Sequence, residues 1–133
     1  MTTYTLTGHG ELLAVVRVGP GADLPSWAGA ATILSVTATA TETSVVCAAA
    51  DIPARVHQAG PFVAFEVQGP LDFALTGVLA ALLTPLADAG VSVFTLSTFD
   101  TDWILVNESD RFRAVDAWQA AGHTVVDGVE KAP

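Results

Sequence analysis

Short apolar runs, separated by glycine, proline and small polar residues, organise this chain. Leu12–Val18 (LLAVVRV) is rich in β-branched residues and stops at Gly19-Pro20-Gly21, which predicts a strand closed by a turn. Thr32–Thr39 (TILSVTAT) alternates apolar and polar positions, as a half-buried strand does. Thr41-Glu42-Thr43 reads as a turn and Ser44–Ala48 (SVVCA) as the next strand. The segment Ala22–Gly29 holds Pro25 and has room for no more than a helical turn. Ala49–Gly60, broken at Pro53 and at Gly60-Pro61, is a loop or a short helix. Phe62–Val67 (FVAFEV) alternates again and predicts a strand.

The clearest helix follows. Leu75, Val78, Leu79, Leu82, Leu83 and Leu86 recur at spacings of three, four, seven, eight and eleven, which places them on one helical face. Pro85 is expected to bend or fray the last turn, and Gly90 to stop the helix. Val91–Leu96 is a strand, Ser97–Thr101 a loop or strand end, and Trp103–Val106 another strand. Asn107 is expected to cap a helix running to Ala121, with Asp110 in its first turn. Gly122 ends it, and His123–Val126 is a short last strand.

The second half therefore reads β-α-β-β-α-β, the split βαβ pattern that makes an antiparallel sheet with helices on one face. The pair Thr32–Thr39 and Ser44–Ala48 precedes Val91–Leu96 and Trp103–Val106 by about 59 positions. That weak repeat suggests two copies of one unit, the first with eroded helices. The predicted fold class is α+β. The predicted division is a first module over 8–60, a second over 61–127 and a tail over 128–133.

Composition narrows the function. Of 133 residues, 51% are apolar and 14% charged, enough to bury a core and far from the disordered class. No run reaches the roughly 18 apolar residues of a membrane helix. Met1–Thr7 has neither a basic residue nor a long apolar block, so no signal peptide is expected and the cytoplasm is the expected location. The net charge of −9 leaves no basic face for nucleic acid or anionic lipid. The lone Cys47, inside an apolar run, reads as a small buried hydrophobe.

Catalytic motifs are absent from the pattern. His9, His57 and His123 follow no metal-ligand spacing, and one cysteine does not make a zinc site. Gly19-Pro20-Gly21 contains proline and precedes no strong helix, so it is a turn rather than a phosphate loop. No Gly-x-Ser-x-Gly elbow surrounds a serine. Neither an enzyme nor a cofactor is expected.

One stretch carries a resemblance. Thr76-Gly77-Val78-Leu79-Ala80-Ala81-Leu82 through Leu86, then Gly90-Val91-Ser92-Val93, resembles the ACT signature: a strand, a glycine opening a Leu-rich helix, a glycine and a strand. Gly69-Pro70-Leu71-Asp72-Phe73, Ser97-Thr98-Phe99-Asp100-Thr101-Asp102 and Ser44-Val45-Val46-Cys47 further resemble small bacterial tandem-ACT proteins, similar to the animal cytosolic arginine sensors. The resemblance covers about Leu12 to Val126. It implies tandem ferredoxin-like βαββαβ modules, regulation by a bound amino acid at the seam between modules, a homodimer and a protein partner of unstated identity. Carried over by position, it implies ligand contacts from Ser44 and Val45 in the first module and from Gly77, Val78, Thr98, Phe99 and Asp102 in the second. The chain departs from those sensors at Leu75, where an acidic residue helps hold the arginine side chain, and at Thr101, where an aromatic packs. The first departure puts arginine itself in doubt as the ligand.

The residues admit a physical reading of their own. A helix opened by Gly77 offers unpaired N–H groups and a partial positive charge to a carboxylate, with no Cβ in the way. Asp102, and less strongly Asp100, can accept from an ammonium, although aspartate is also common in turns. Ser44, Thr98 and the Val45 backbone can hydrogen-bond, and Phe99 can wall a pocket or fill the core. Asp72 reads better as a helix cap. Two other classes remain open: a ligand-free dimerisation module, and, by fold analogy alone, a small ferredoxin-like enzyme.

Overall fold

The computed structural model describes residues 2–29, 32–72 and 75–129. In chain order the elements are β1 (Thr5–Gly8), β2 (Leu13–Val18), β3 (Ser35–Ala38), β4 (Thr43–Ala48), β5 (Gln58–Val67), α1 (Val78–Asp88), β6 (Val93–Ser97), β7 (Asp102–Asn107), α2 (Arg111–Ala120) and β8 (Thr124–Asp127). The result is a mixed α/β fold with mostly antiparallel strand pairing and few helices. The contacts divide the chain into two compact units, Met1–Gly10 with Val63–Pro133, and Glu11–Phe62.

In the first unit the strands lie in the order β8-β1-β5-β7-β6. β1 runs parallel to β8 and antiparallel to β5, and β6 is antiparallel to β7. The β-α-β-β-α-β succession of the second half is present, but β1 stands between its first and last strands. The hydrophobic pattern gave no strand at Thr5–Gly8, because Leu6 is the one large apolar residue in those four.

Alternation along the strands turns Leu6, Val63, Phe65, Val67, Ile104 and Val106 to one face, where Val78, Leu82 and Leu86 of α1 and Ala114 and Trp118 of α2 cover them. Burying each such side chain stabilises the unit by about 1.5–3 kcal/mol relative to leaving it in water. Leu75, expected on this face, lies before the helix and is exposed. Gly77 adopts φ 78° at the N-cap, so the backbone turns there and the helical register begins only at Val78.

Both helices stop in the same way. Gly90, at φ 74°, lets its own N–H reach the Ala87 carbonyl while the Val91 N–H reaches Leu86. At α2, Gly122, at φ 95°, does the same with Gln119, and the His123 N–H with Trp118. This is the left-handed closure that satisfies the last carbonyls of a helix. Pro85 sits within α1, which nevertheless runs on to Asp88. Asn107 Oδ1 accepts from the Ser109 N–H at 3.0 Å, capping the 3₁₀ turn that leads into α2.

In the second unit β3, β4, β2 and the Gln58–Phe62 part of β5 pair antiparallel in that order. Val16, Val45 and Cys47 form its buried cluster, with Trp27, Ala28, Ile52 and Val56 packed on it. Burial pushes the Cys47 thiol pKa up, as an inert core cysteine requires. Ala22–Gly29, expected to hold at most a helical turn, and Ala49–Gly60, expected as a loop or short helix, contain isolated hydrogen-bonded turns, among them Ala28 N to Pro25 O and Val56 N to Pro53 O. Among the described residues this unit has no helix. Pro25 and Pro53 each open a turn through their carbonyls.

Candidate functional site

Three segments of the first unit converge at the start of α1: the chain leaving β5 at Leu71-Asp72, the helix start Gly77–Leu79, and the β6–β7 connection Ser97–Asp102. They enclose a cavity of about 290 Å³, near the lower end of the ~300–1,000 Å³ usual for small-molecule sites.

The connection is held internally. The Thr98 N–H donates to the Thr101 carbonyl at 2.8 Å and the Thr98 hydroxyl to the same oxygen at 3.2 Å. Thr101 is buried and its hydroxyl donates to the Val67 carbonyl at 2.5 Å, which ties the loop to β5. The Leu71 N–H donates to the Asp100 carbonyl at 2.7 Å, and a Cβ on Gly69 would come within 2.9 Å of that same oxygen. Gly69 thus permits the close approach that brings Leu71-Asp72 against the loop.

The wall chemistry is asymmetric. There α1 presents the first N–H groups of an eleven-residue helix, whose N-cap, Gly77, has no side chain of its own to cap them. An added Cβ at Gly77 would meet nothing within 4 Å, so that approach is open, while its φ of 78° favours glycine. The same lining holds Asp72, Asp100 and Asp102, with no basic side chain. Asp102 Oδ1 accepts from the Ser97 hydroxyl at 2.5 Å, which fixes the direction of that carboxylate. Leu71, Leu75, Val78, Leu79 and Phe99 supply the apolar surface. Leu75 is 52% and Phe99 81% exposed, so both stand at the rim.

Of the residues named from sequence, Gly77, Val78, Thr98, Phe99 and Asp102 line this one cavity. Asp72 and Asp100 line it as well; the N-cap of α1 is Gly77, not Asp72. Ser44 and Val45 belong to the other unit. The Val45 side chain is fully buried in that unit's core, while the Ser44 hydroxyl donates to Glu42 Oε1 at 2.8 Å. Sequence reasoning did not single out Leu71, Leu79 or Ser97. The Ser97–Asp102 pair closes the two ends of a hairpin connection, the one local signal that could have pointed to Ser97. Among the described residues no group of three His, Cys, Asp or Glu side chains is placed to hold a metal. None of the described helices is long and apolar enough to cross a membrane.

Residues 60–119 match the family model of the ACT domain, and residues 11–55 match a second family model, described as an N-terminal domain. A structural-genomics protein from Agrobacterium tumefaciens is similar over 100% of this chain and 99% of its own, with 29% identity and a TM-score of 0.89. A Vibrio cholerae protein of unknown function, titled a possible transport protein, is similar over 90% of each chain at 17% identity and a TM-score of 0.70. The aspartate kinase of Clostridium acetobutylicum, titled an allosteric enzyme, is similar over 91% of this chain and 35% of its own, at 12% identity and a TM-score of 0.65. The last two likenesses are likenesses of fold.

Proposed function

With residues 60–119 belonging to the ACT domain family, we propose that the protein is a small-molecule regulatory module that binds a free amino acid in the cavity at the start of α1 and catalyses nothing itself. The observation that carries this reading is that a helix start opened by Gly77 and the oriented carboxylate of Asp102 line one cavity. A zwitterion has the complementary layout: its carboxylate accepts from the N–H groups at the helix start, and its ammonium donates to Asp102. Thr98 contributes a hydroxyl and Phe99 a wall.

Tandem modules are part of the reading, with Glu11–Phe62 as a reduced copy. So is a homodimer. In support of the latter, β6 pairs only with β7 among the described strands, and Val93 and Phe94 on it are 39% and 37% exposed.

An amino acid of about ten heavy atoms, at about −0.5 to −0.8 kcal/mol per atom, gains about 5–8 kcal/mol on binding. The matching Kd lies between about 200 μM and 1 μM, in the range of a metabolite sensor. Titrating the protein with each of the twenty amino acids by calorimetry tests the proposal. One amino acid, or a small related group, is expected to bind in that range. Asp102→Asn keeps an acceptor for Ser97 but removes the charge, and is expected to weaken binding by about 1.5–3 kcal/mol, roughly ten- to hundredfold. Silence across the panel at millimolar concentration, with a folded dimer, would instead indicate a ligand-free assembly module.

A further inference from the structure

We propose that the Glu11–Phe62 unit carries a second, separate site, for the phosphate or carboxylate group of an anionic metabolite, built around Arg17 and His57. Cationic side chains are scarce in this chain, with five basic residues against fourteen acidic ones. Arg111 and Arg113 are each paired with an aspartate. Among the described residues Arg17 and His57 have no ion pair or side-chain hydrogen bond, and both are exposed. Arg17 and His57, side by side, offer donors to an anion, and the nearby Glu42 carboxylate is hydrogen-bonded to Ser44 rather than ion-paired with either.

The register brings them together. Val16 pairs with Gln58, and one step on the Arg17 N–H donates to the His57 carbonyl at 3.1 Å. On the other side of β2, Arg17 is directly opposite Ser44, which is opposite Thr37 on β3. Opposed residues of an antiparallel ladder share a face. Arg17, Ser44 and Thr37 therefore form a polar row on one face, while Val16, Val45 and Cys47 turn to the other and fill the unit's own core.

Two cavities, of about 250 and 390 Å³, both have Arg17 and His57 in their walls. The smaller also takes in Ser44, Val15 and Ala59, and the larger the Gly19-Pro20 turn. A guanidinium offers a planar fork of N–H groups that matches two oxygens of one phosphate or carboxylate. The His57 ring and the Ser44 hydroxyl add donors beside it, and Val15 and Ala59 add an apolar surface for the rest of the ligand. Glu42 works against the site, because its carboxylate already accepts a hydrogen bond from the Ser44 hydroxyl. A bound anion competes with Glu42 for that hydroxyl.

The test uses the full chain in solution, with amide and arginine Nε–H resonances followed by NMR. Inorganic phosphate, succinate and sodium chloride are titrated to about 10 mM at matched ionic strength. Phosphate or succinate is expected to shift Arg17 Nε–H and the Ser44 and Gln58 amides where chloride does not. A response to phosphate alone assigns a phosphate ester, and a response to succinate alone a carboxylate. Arg17→Gln, at an exposed position, is expected to weaken the response at least about tenfold. Glu42→Gln is expected to strengthen it. Arg55→Gln, at an exposed residue outside both cavities, and Asp102→Asn, in the other unit, are expected to leave it unchanged. Equal shifts with chloride, no shift at Arg17, or undiminished binding by Arg17→Gln would overturn the proposal.

Discussion

Trp118→Ala is expected to destabilise the protein by about 3–5 kcal/mol, a large part of the ~5–15 kcal/mol by which a domain is folded. Trp118 is fully buried on α2. Its ring meets Phe65 of β5 edge-on, at 4.9 Å between centroids and 74° between planes, and its Nε1–H donates to the Leu82 carbonyl of α1 at 2.8 Å. One side chain thus joins both helices to the sheet, and its removal leaves a cavity and takes away that hydrogen bond. Trp118→Phe separates the two effects. It retains most of the ring packing and loses the hydrogen bond, so a cost of about 1–2 kcal/mol is expected. Thermal or urea unfolding measures both. Equal losses for the two variants would mean that the hydrogen bond, not the ring, carries the contribution.

The second large effect is expected at Asp127. Arg111 is 3% exposed, and its guanidinium is held by the Asp127 carboxylate, by the His9 carbonyl at 2.8 Å and over the Phe65 ring at 5.3 Å. A Cβ on Gly8 would come within 2.6 Å of Asp127 Oδ1, so glycine is needed there for the pair to close. The pair joins the start of α2 to the ends of β1 and β8. Asp127→Ala strands a buried cation and is expected to cost about 3–5 kcal/mol, little relieved by salt. Replacing both partners, as Arg111→Met with Asp127→Leu, is expected to be close to neutral, because the desolvation cost goes with the charges. A double variant as unstable as Asp127→Ala would show that the joint depends on charge rather than on filled volume.

How far the sequence discloses this molecule depends on whether local or distant contacts decide. The α1 face was legible because Val78, Leu82 and Leu86 recur at helical spacing and all three are buried. The same periodicity misplaced Leu75, since spacing is blind to a backbone reversal at Gly77. β1 was missed because its strand character comes from pairing with β5 and β8, far along the chain, rather than from its own four residues. The turns after Pro25 and Pro53 were partly legible, since proline marks where a helix cannot extend.

In the candidate site, five of the seven residues named from sequence meet in one cavity, because the helix start and the hairpin connection are both locally encoded. Leu71, Leu75 and Leu79 join them through the approach of three separate segments, which no local pattern reports. His123 shows the same limit at a structural position. In the sequence it is an isolated histidine with no metal-ligand spacing. In the fold it is buried, with Nδ1 accepting from the Tyr4 N–H at 3.1 Å and Nε2 lying 3.3 Å from the Ala81 carbonyl.

A crystal structure with the amino acid that binds most tightly is the most direct test of the account. The expected result is a ligand at the start of α1, its carboxylate on the N–H groups of Val78 and Leu79 and its ammonium on Asp102. A saturating ligand seated elsewhere, or reversed so that its carboxylate faces the three aspartates, would contradict it.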